Sequence, residues 1–110
     1  MGQFVKGDVV VLPFPFSDLS AEKRRPALVA ATLRGDDVIL CQVTSRPVGD
    51  EYAIPIADDD FSAGALRQDS NVRPNRLFTA DTSIILYRAG ALKPDKTREV
   101  VARIVEIITA

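Results

Sequence analysis

The stretch "PALVAATLRGDDVILCQVTS" constrains the fold more than any other: two apolar, β-branched runs, residues 26–33 and 37–45, flank the turn-forming "RGDD". A β-hairpin is the local structure that pairs both runs at once. With Gly35 and Asp36 as a two-residue turn, Arg34 opposes Asp37, Ala27 opposes Thr44 and Arg25 opposes Arg46. Alternation then predicts a core face of Leu28, Ala30, Ile39, Cys41 and Val43. The polar end of the other face gathers Arg25, Thr44 and Arg46, with Gln42 next along the strand. In this register Arg25 lies diagonal to Thr44, roughly 7–8 Å between backbones. A longer turn would slip every side chain to the opposite face.

The rest of the chain extends this β pattern. "GDVVVLPF" (residues 7–14) reads as a first strand entered by a Gly-Asp turn and ended by Pro13. "PFPFSDLSAEKRR" (13–25) has no helical period and is dense in turn formers, the signature of a long functional loop. "YAIPIA" (52–57) is a short strand whose Pro55 belongs at an edge or bulge. "DDDFSAGALRQDSNVRPN" (58–75) reads as a second loop, while "RLFTA" (76–80) and "SIILYRAG" (83–90) supply further strands. In "KPDKTREVVARIVEIIT" (93–109) the period changes: Val100, Val101, Ile104, Val105 and Ile108 recur at helical spacing, and Pro94 suits a first turn. The expectation is one domain, 1–110, mainly β with a C-terminal helix, built as a small, strongly bent antiparallel barrel.

With 110 residues, 46% apolar and 26% charged, the chain is long enough for one core and too short for two ordinary domains. A net charge of −1 argues against a bulk polycation, though a local basic cluster can still attract phosphate. The single cysteine, Cys41, sits in an apolar run, so it reads as core and suits a reducing compartment. No stretch has the roughly 20 apolar residues of a membrane span, and a soluble, cytoplasmic protein is expected. Histidine is absent, which removes the commonest general acid and base and every Ser-His or Cys-His pair. No Gly-rich phosphate loop precedes a helix, and no Cys/His cluster could hold zinc. The carboxylates of Asp58, Asp59 and Asp60 are read as solvated, and no metal or cofactor is assigned.

Lys23, Arg24 and Arg25 stand directly before Pro26. A solvated rim is the ordinary reading of such a run, and it serves for Lys23 and Arg24. Arg25 differs, because a following proline holds it extended and the hairpin aims it at Thr44. A guanidinium with five donors beside a hydroxyl suits a phosphate. Arg46, Arg73 and Arg76 can add phosphate contacts, and Phe14 and Phe16 could pack or stack on bases.

These residues resemble the MazF/PemK-like toxins of type II toxin-antitoxin systems. The resemblance runs through "GDVVVLPFPFSDLSAEKRRPALVAA", "CQVTS" and "RLFTADTSII…AGAL", and so covers nearly the whole chain. It implies an SH3-like barrel of the CcdB/MazF type, a homodimer, and metal-independent cleavage of single-stranded RNA, mRNA above all, within a preferred sequence. It also implies a cognate antitoxin whose acidic, apolar, disordered tail covers the basic groove. Arg25 matches the family's arginine before proline and Thr44 its threonine closing the following strand, which implies that both are catalytic. Glu22 resembles the acidic residue of the first loop and Asp81 the aspartate of a later "RTID"-like strand, so both are candidates for acid or base. Phe78 stands where better-studied members carry arginine, and Arg76 is a candidate replacement. Phe16, Gln42, Ser45, Arg46 and Arg76 complete the expected RNA-binding set. Apolar residues on both faces of the 27–43 hairpin suggest a sheet covered twice, once by a dimer partner.

The implied reaction is attack of a ribose 2′-hydroxyl on the adjacent phosphate, stabilised by Arg25 and Thr44. Two other readings compete with it. A related barrel toxin could bind a protein such as gyrase through its terminal helix, and an inactive barrel could merely bind nucleic acid or a peptide, since fold does not fix function.

Overall fold

The computed structural model describes residues 4–14 and 23–110. Its framework is a seven-stranded antiparallel sheet. The strands are β1 (Asp8–Phe14), β2 (Lys23–Thr32), β3 (Asp37–Thr44), β4 (Ile54–Ile56), β5 (Phe61–Gly64), β6 (Ser70–Asp81) and β7 (Tyr87–Leu92), and one helix, α1 (Pro94–Thr109), follows. The order across the sheet is β4-β6-β3-β2-β1-β7-β5. This is the mainly β architecture with one terminal helix that the sequence predicts. The sheet keeps two edges, β4 and β5, so it is a half-barrel rather than a closed one.

The β2–β3 hairpin forms, with a different register. Thr32 pairs with Val38 and the Leu33 amide donates to the Asp37 carbonyl at 3.1 Å, leaving residues 34–36 as the turn, with Gly35 at φ +81°. The turn is thus one residue longer than expected, which alone would invert the faces. A bulge between Val29 and Ala31 inserts one more residue and restores them. Beyond it Val29 pairs with Leu40, Leu28 with Cys41 and Ala27 with Gln42, not with Thr44. The net slip of two residues keeps the expected core face. Leu28, Ala30, Cys41 and Val43 are buried in one cluster with Ile39 packed against it.

Both faces of the hairpin are covered within one chain. The first cluster adds Val9, Ile54, Ile56, Val72, Leu92 and Val100 of α1, with Ile104 packed on it. The second, on the other face, holds Val10, Leu12, Phe14, Ala27, Val29, Val38 and Leu40, closed by Ala80 and Ile85. The double burial of 27–43 therefore needs no partner subunit. Each large aliphatic side chain so buried contributes roughly 1.5–3 kcal/mol. Cys41 is fully buried, which pushes its thiol up to about 12.

Several loop readings change. Lys23, Arg24 and Arg25 are strand residues, paired with Phe14, Pro13 and Leu12 of β1. The 58–75 stretch contains β5 and the start of β6, with Pro74 at the irregularity between Arg73 and Leu77 where β6 leaves its register with β3. Residues 82–84 form a 3-10 turn capped by Asp81, whose carboxylate accepts from the Ser83 amide at 2.8 Å. In α1 only one face of the apolar stripe is buried: Val100 is covered, while Val105 and Ile108 are exposed. Asp60 of the 58–60 turn is engaged by the Ala57 amide at 2.9 Å and by Lys96 at 3.7 Å.

Candidate active site

The observed β2–β3 pairing ends at Ala27–Gln42; the same register continued two residues further would set Arg25 across from Thr44 instead of diagonal to it. Residues opposed on neighbouring strands are roughly 4.5–5.5 Å apart, closer than the diagonal the sequence predicts. Arg25 is half-buried, and Thr44 is 8% exposed. The Thr44 hydroxyl oxygen accepts from the Arg46 amide at 3.1 Å. A hydroxyl has one proton and two lone pairs, so this contact occupies acceptor capacity and leaves the O–H free to donate.

A cavity of about 650 Å³ opens at this end of the sheet, and Arg25 and Thr44 are among its lining residues. Val11, Pro26 and Val43 form the floor, continuing the face of the first core cluster. Ser45 and Ser70 add hydroxyls, and Ala65, Leu66, Arg67, Gln68, Tyr87, Arg88 and Ala89 complete the far wall. Among the described residues the lining holds four arginines, Arg24, Arg25, Arg67 and Arg88, and no carboxylate. In a chain of net charge −1 this is a marked local separation of charge. A concave site lined by one sign of charge concentrates ions of the other, here phosphate.

Alternation along β2 puts Arg24 with Pro26 and Leu28 on the face of the first core cluster and Arg25 with Ala27 and Val29 on that of the second; Arg24 is exposed, and both arginines border the cavity at the strand end. Arg88 is tied by its Nη1 to Asp8 at 3.6 Å. The Asp8 side chain is 2% exposed, and its other oxygen accepts from the Val5 amide at 2.9 Å.

The other expected residues are placed as follows. Ser45 lines the cavity. Arg46 is exposed, and its amide, not its guanidinium, touches Thr44. Gln42 is half-buried between Ala27 and Arg73 on neighbouring strands. Arg73 is held by Asp50 at 3.1 Å, and its Nε is buried without a hydrogen-bond partner. Asp50 is desolvated, which alone would raise its pKa, but the Tyr52 and Ala53 amides and Arg73 outweigh this and hold it below the usual carboxylate range. Arg76 is exposed on β6, within the stretch that leaves the β3 ladder. Phe14 is buried and meets Phe78 edge-to-face at 5.2 Å, so it packs as core. Phe16 and Glu22 lie outside the described residues.

Asp81 is not brought to this site within the chain. It pairs with Asp37, at the opposite end of β3 from Thr44, roughly 23 Å away at about 3.3 Å per residue. Its carboxylate caps the following turn, and the Ser83 amide holds it below the usual carboxylate range.

Arg67, Gln68, Tyr87 and Arg88 were not expected at the site. No local pattern distinguishes them. Only the placement of β7 beside β1, and of β5 beside β7, brings them to Arg25.

Residues 5–108 match the family model described as the PemK-like, MazF-like toxin of type II toxin-antitoxin systems. The chain belongs to this toxin family. No curated protein sequence matches it. Among solved structures, MazF (Form-I) from Deinococcus radiodurans superposes with a TM-score of 0.77 at 20% identity, covering 100% of both chains. An endoribonuclease in complex with its cognate antitoxin from Mycobacterial species gives 0.74 at 12% identity, covering 97% of this chain and 96% of that one. The Mycobacterium tuberculosis toxin MazF-mt6 gives 0.69 at 17% identity, covering 93% and 95%. At these identities the likeness establishes the fold of the toxin, and its residues must supply the chemistry.

Proposed function

We propose that this MazF-like toxin is an endoribonuclease that cleaves single-stranded RNA by 2′-hydroxyl attack at Arg25 and Thr44. The observation that carries the reading is that Arg25 and Thr44 border one cavity whose lining, among the described residues, holds four arginines and no carboxylate. The 2′-oxygen bonds to phosphorus, the P–O5′ bond breaks, and the leaving oxygen takes a proton to become a 5′-hydroxyl. The other fragment ends in a 2′,3′-cyclic phosphate. Arg25 neutralises the charge that grows on the phosphorane oxygens, and the free Thr44 O–H donates to a nonbridging oxygen. Glu22 or water takes the 2′-hydroxyl proton. Asp81 is too distant within one chain, and a guanidinium has five donors and no acceptor with which to take a proton.

Gln42, Ser45 and Arg46 border Thr44 and extend the RNA contact, with Phe16 and Arg76 as further contacts. A cognate antitoxin with an acidic and apolar tail would neutralise the same arginines, in keeping with the antitoxin complex solved for the mycobacterial relative. Exposed Leu77, Ile84 and Leu86 offer apolar surface for a homodimer. The site of action is the cytoplasm, where mRNA is found.

Purified protein incubated with mixed-sequence RNA in EDTA is expected to cut at a restricted set of sequences and to leave the corresponding DNA intact, since DNA lacks the nucleophile. Cutting of DNA, or dependence on added metal, rules the mechanism out. No cutting of any RNA would favour the protein-binding reading, for which the exposed Val105 and Ile108 of α1 are the available surface.

A further inference from the structure

We propose that Asp50 and Arg73 are positioning residues for Thr44, an ion pair that fixes the 45–53 loop so that the Thr44 hydroxyl keeps one direction. The inference rests on the ribonuclease reading and names what orients a donor in it.

Residues 45–53 join β3 to β4 and contain no helix or strand. Ser45, Arg46 and Pro47 are exposed, so burial does not hold the chain where it leaves Thr44. The Thr44 oxygen accepts from the Arg46 amide, two residues on, and the direction of the hydroxyl therefore depends on where the loop goes next. The neighbouring strand sets that path. On β6, Asn71 pairs with Thr44 and Arg73 with Gln42; two residues apart, they share the face of their partners. Asn71 donates from Nδ2 to the Arg46 carbonyl at 3.4 Å, and Arg73 donates from Nη2 to Asp50 Oδ2 at 3.1 Å. The other Asp50 oxygen accepts from the Tyr52 and Ala53 amides, both at 3.0 Å. From α1, Arg103 Nη1 donates to the Glu51 and Tyr52 carbonyls at 3.3 and 3.0 Å. One strand and one helix thus tie down a segment that starts at the proposed donor. The pair is not arranged for stability alone: among the described residues Arg73 Nε is buried without a hydrogen-bond partner, a desolvation cost that an apolar residue there would not carry.

The test combines amide hydrogen exchange, read by NMR, with single-turnover cleavage of mixed-sequence RNA on the same variants. In Asp50→Ala and Arg73→Ala the Arg46 amide is expected to exchange roughly tenfold faster, while the amides of the β2–β3 core keep their protection. The kcat should fall roughly tenfold with KM little changed. In a Thr44→Ala background the same substitutions should cost nothing further, because the hydroxyl that they orient is gone. Asp50→Asn, which keeps an oxygen for the Tyr52 and Ala53 amides and loses the charge, should show the same pattern at smaller size, and it carries the test if Asp50→Ala fails to fold. The inference is overturned if the Arg46 amide is unaffected, if the core amides lose protection equally, if kcat holds in an active enzyme, or if the losses multiply with that of Thr44→Ala. If the wild type cuts no RNA but the Arg46 amide alone loses protection in the variants, the clasp on Thr44 stands and the nuclease reading alone falls.

Discussion

Arg25→Ala is expected to lower kcat for RNA cleavage by about 10²–10³-fold, the usual loss when one preorganised donor to a developing oxyanion is removed. The melting transition should move little, because the side chain is at the cavity edge and its strand pairing with Leu12 is made by backbone. Arg25→Lys should recover only a small part, since an ammonium is a point charge and cannot present the guanidinium's fork to two oxygens. Thr44→Ala should also impair cleavage, and it additionally removes the oxygen that accepts from the Arg46 amide, at a stability cost of about 1 kcal/mol. Thr44→Ser keeps the hydroxyl and should keep most activity. Single-turnover kinetics with thermal melts on the same preparations separate the two effects. Unchanged kcat in Arg25→Ala would remove the arginine from the mechanism.

Gly64→Ala is expected to destabilise the fold by about 3 kcal/mol. Gly64 of β5 pairs with Gly90 of β7 at φ +66°, and a Cβ there would lie 2.2 Å from the Ala89 carbonyl oxygen and 2.7 Å from the Gly90 Cα. Both obstacles are backbone, so the edge strand must move away. Overpacking of this kind costs about 1–3 kcal/mol, and the left-handed conformation adds about 1–2 kcal/mol for any residue with a Cβ. Gly90→Ala meets the same contact from the other side, 2.5 Å from the Ala63 carbonyl oxygen. Because β5 leads straight into Ala65–Gln68, these variants should also loosen the far wall of the cavity and weaken RNA binding. Urea unfolding measures the first effect, and a change below about 0.5 kcal/mol would show that β5 does not pack as described.

The hairpin shows how far alternation carries a reading. The face of each side chain was legible from "PALVAATL" and "DVILCQVTS" because both faces are apolar in register with the turn, but the pairing was not. A three-residue turn and a bulge at Val29–Ala31 are each invisible locally, and their effects on the faces cancel. Arg25 and Thr44 border one cavity, and the observed register, continued past Ala27–Gln42, would oppose them rather than set them diagonal. β5 was missed because Phe61–Gly64 is a four-residue edge strand whose only sheet partner among the described residues is β7. Asp81 was grouped with the site by likeness to a family motif, and its pairing with Asp37 puts it at the other end of β3. The far wall, Arg67 to Gln68 and Tyr87 to Arg88, depends on long-range sheet order, which no short window of sequence contains.

The central claim is that Arg25 and Thr44 serve a reaction whose nucleophile is the substrate's own 2′-hydroxyl. An RNA with a single 2′-deoxy residue at the mapped cut site tests it most directly, with the all-RNA strand as control and end groups read by mass spectrometry. The expected result is normal binding, no cleavage at that position, and 5′-hydroxyl and 2′,3′-cyclic phosphate ends from the control. Cleavage of the deoxy-substituted strand at the same bond would contradict the claim.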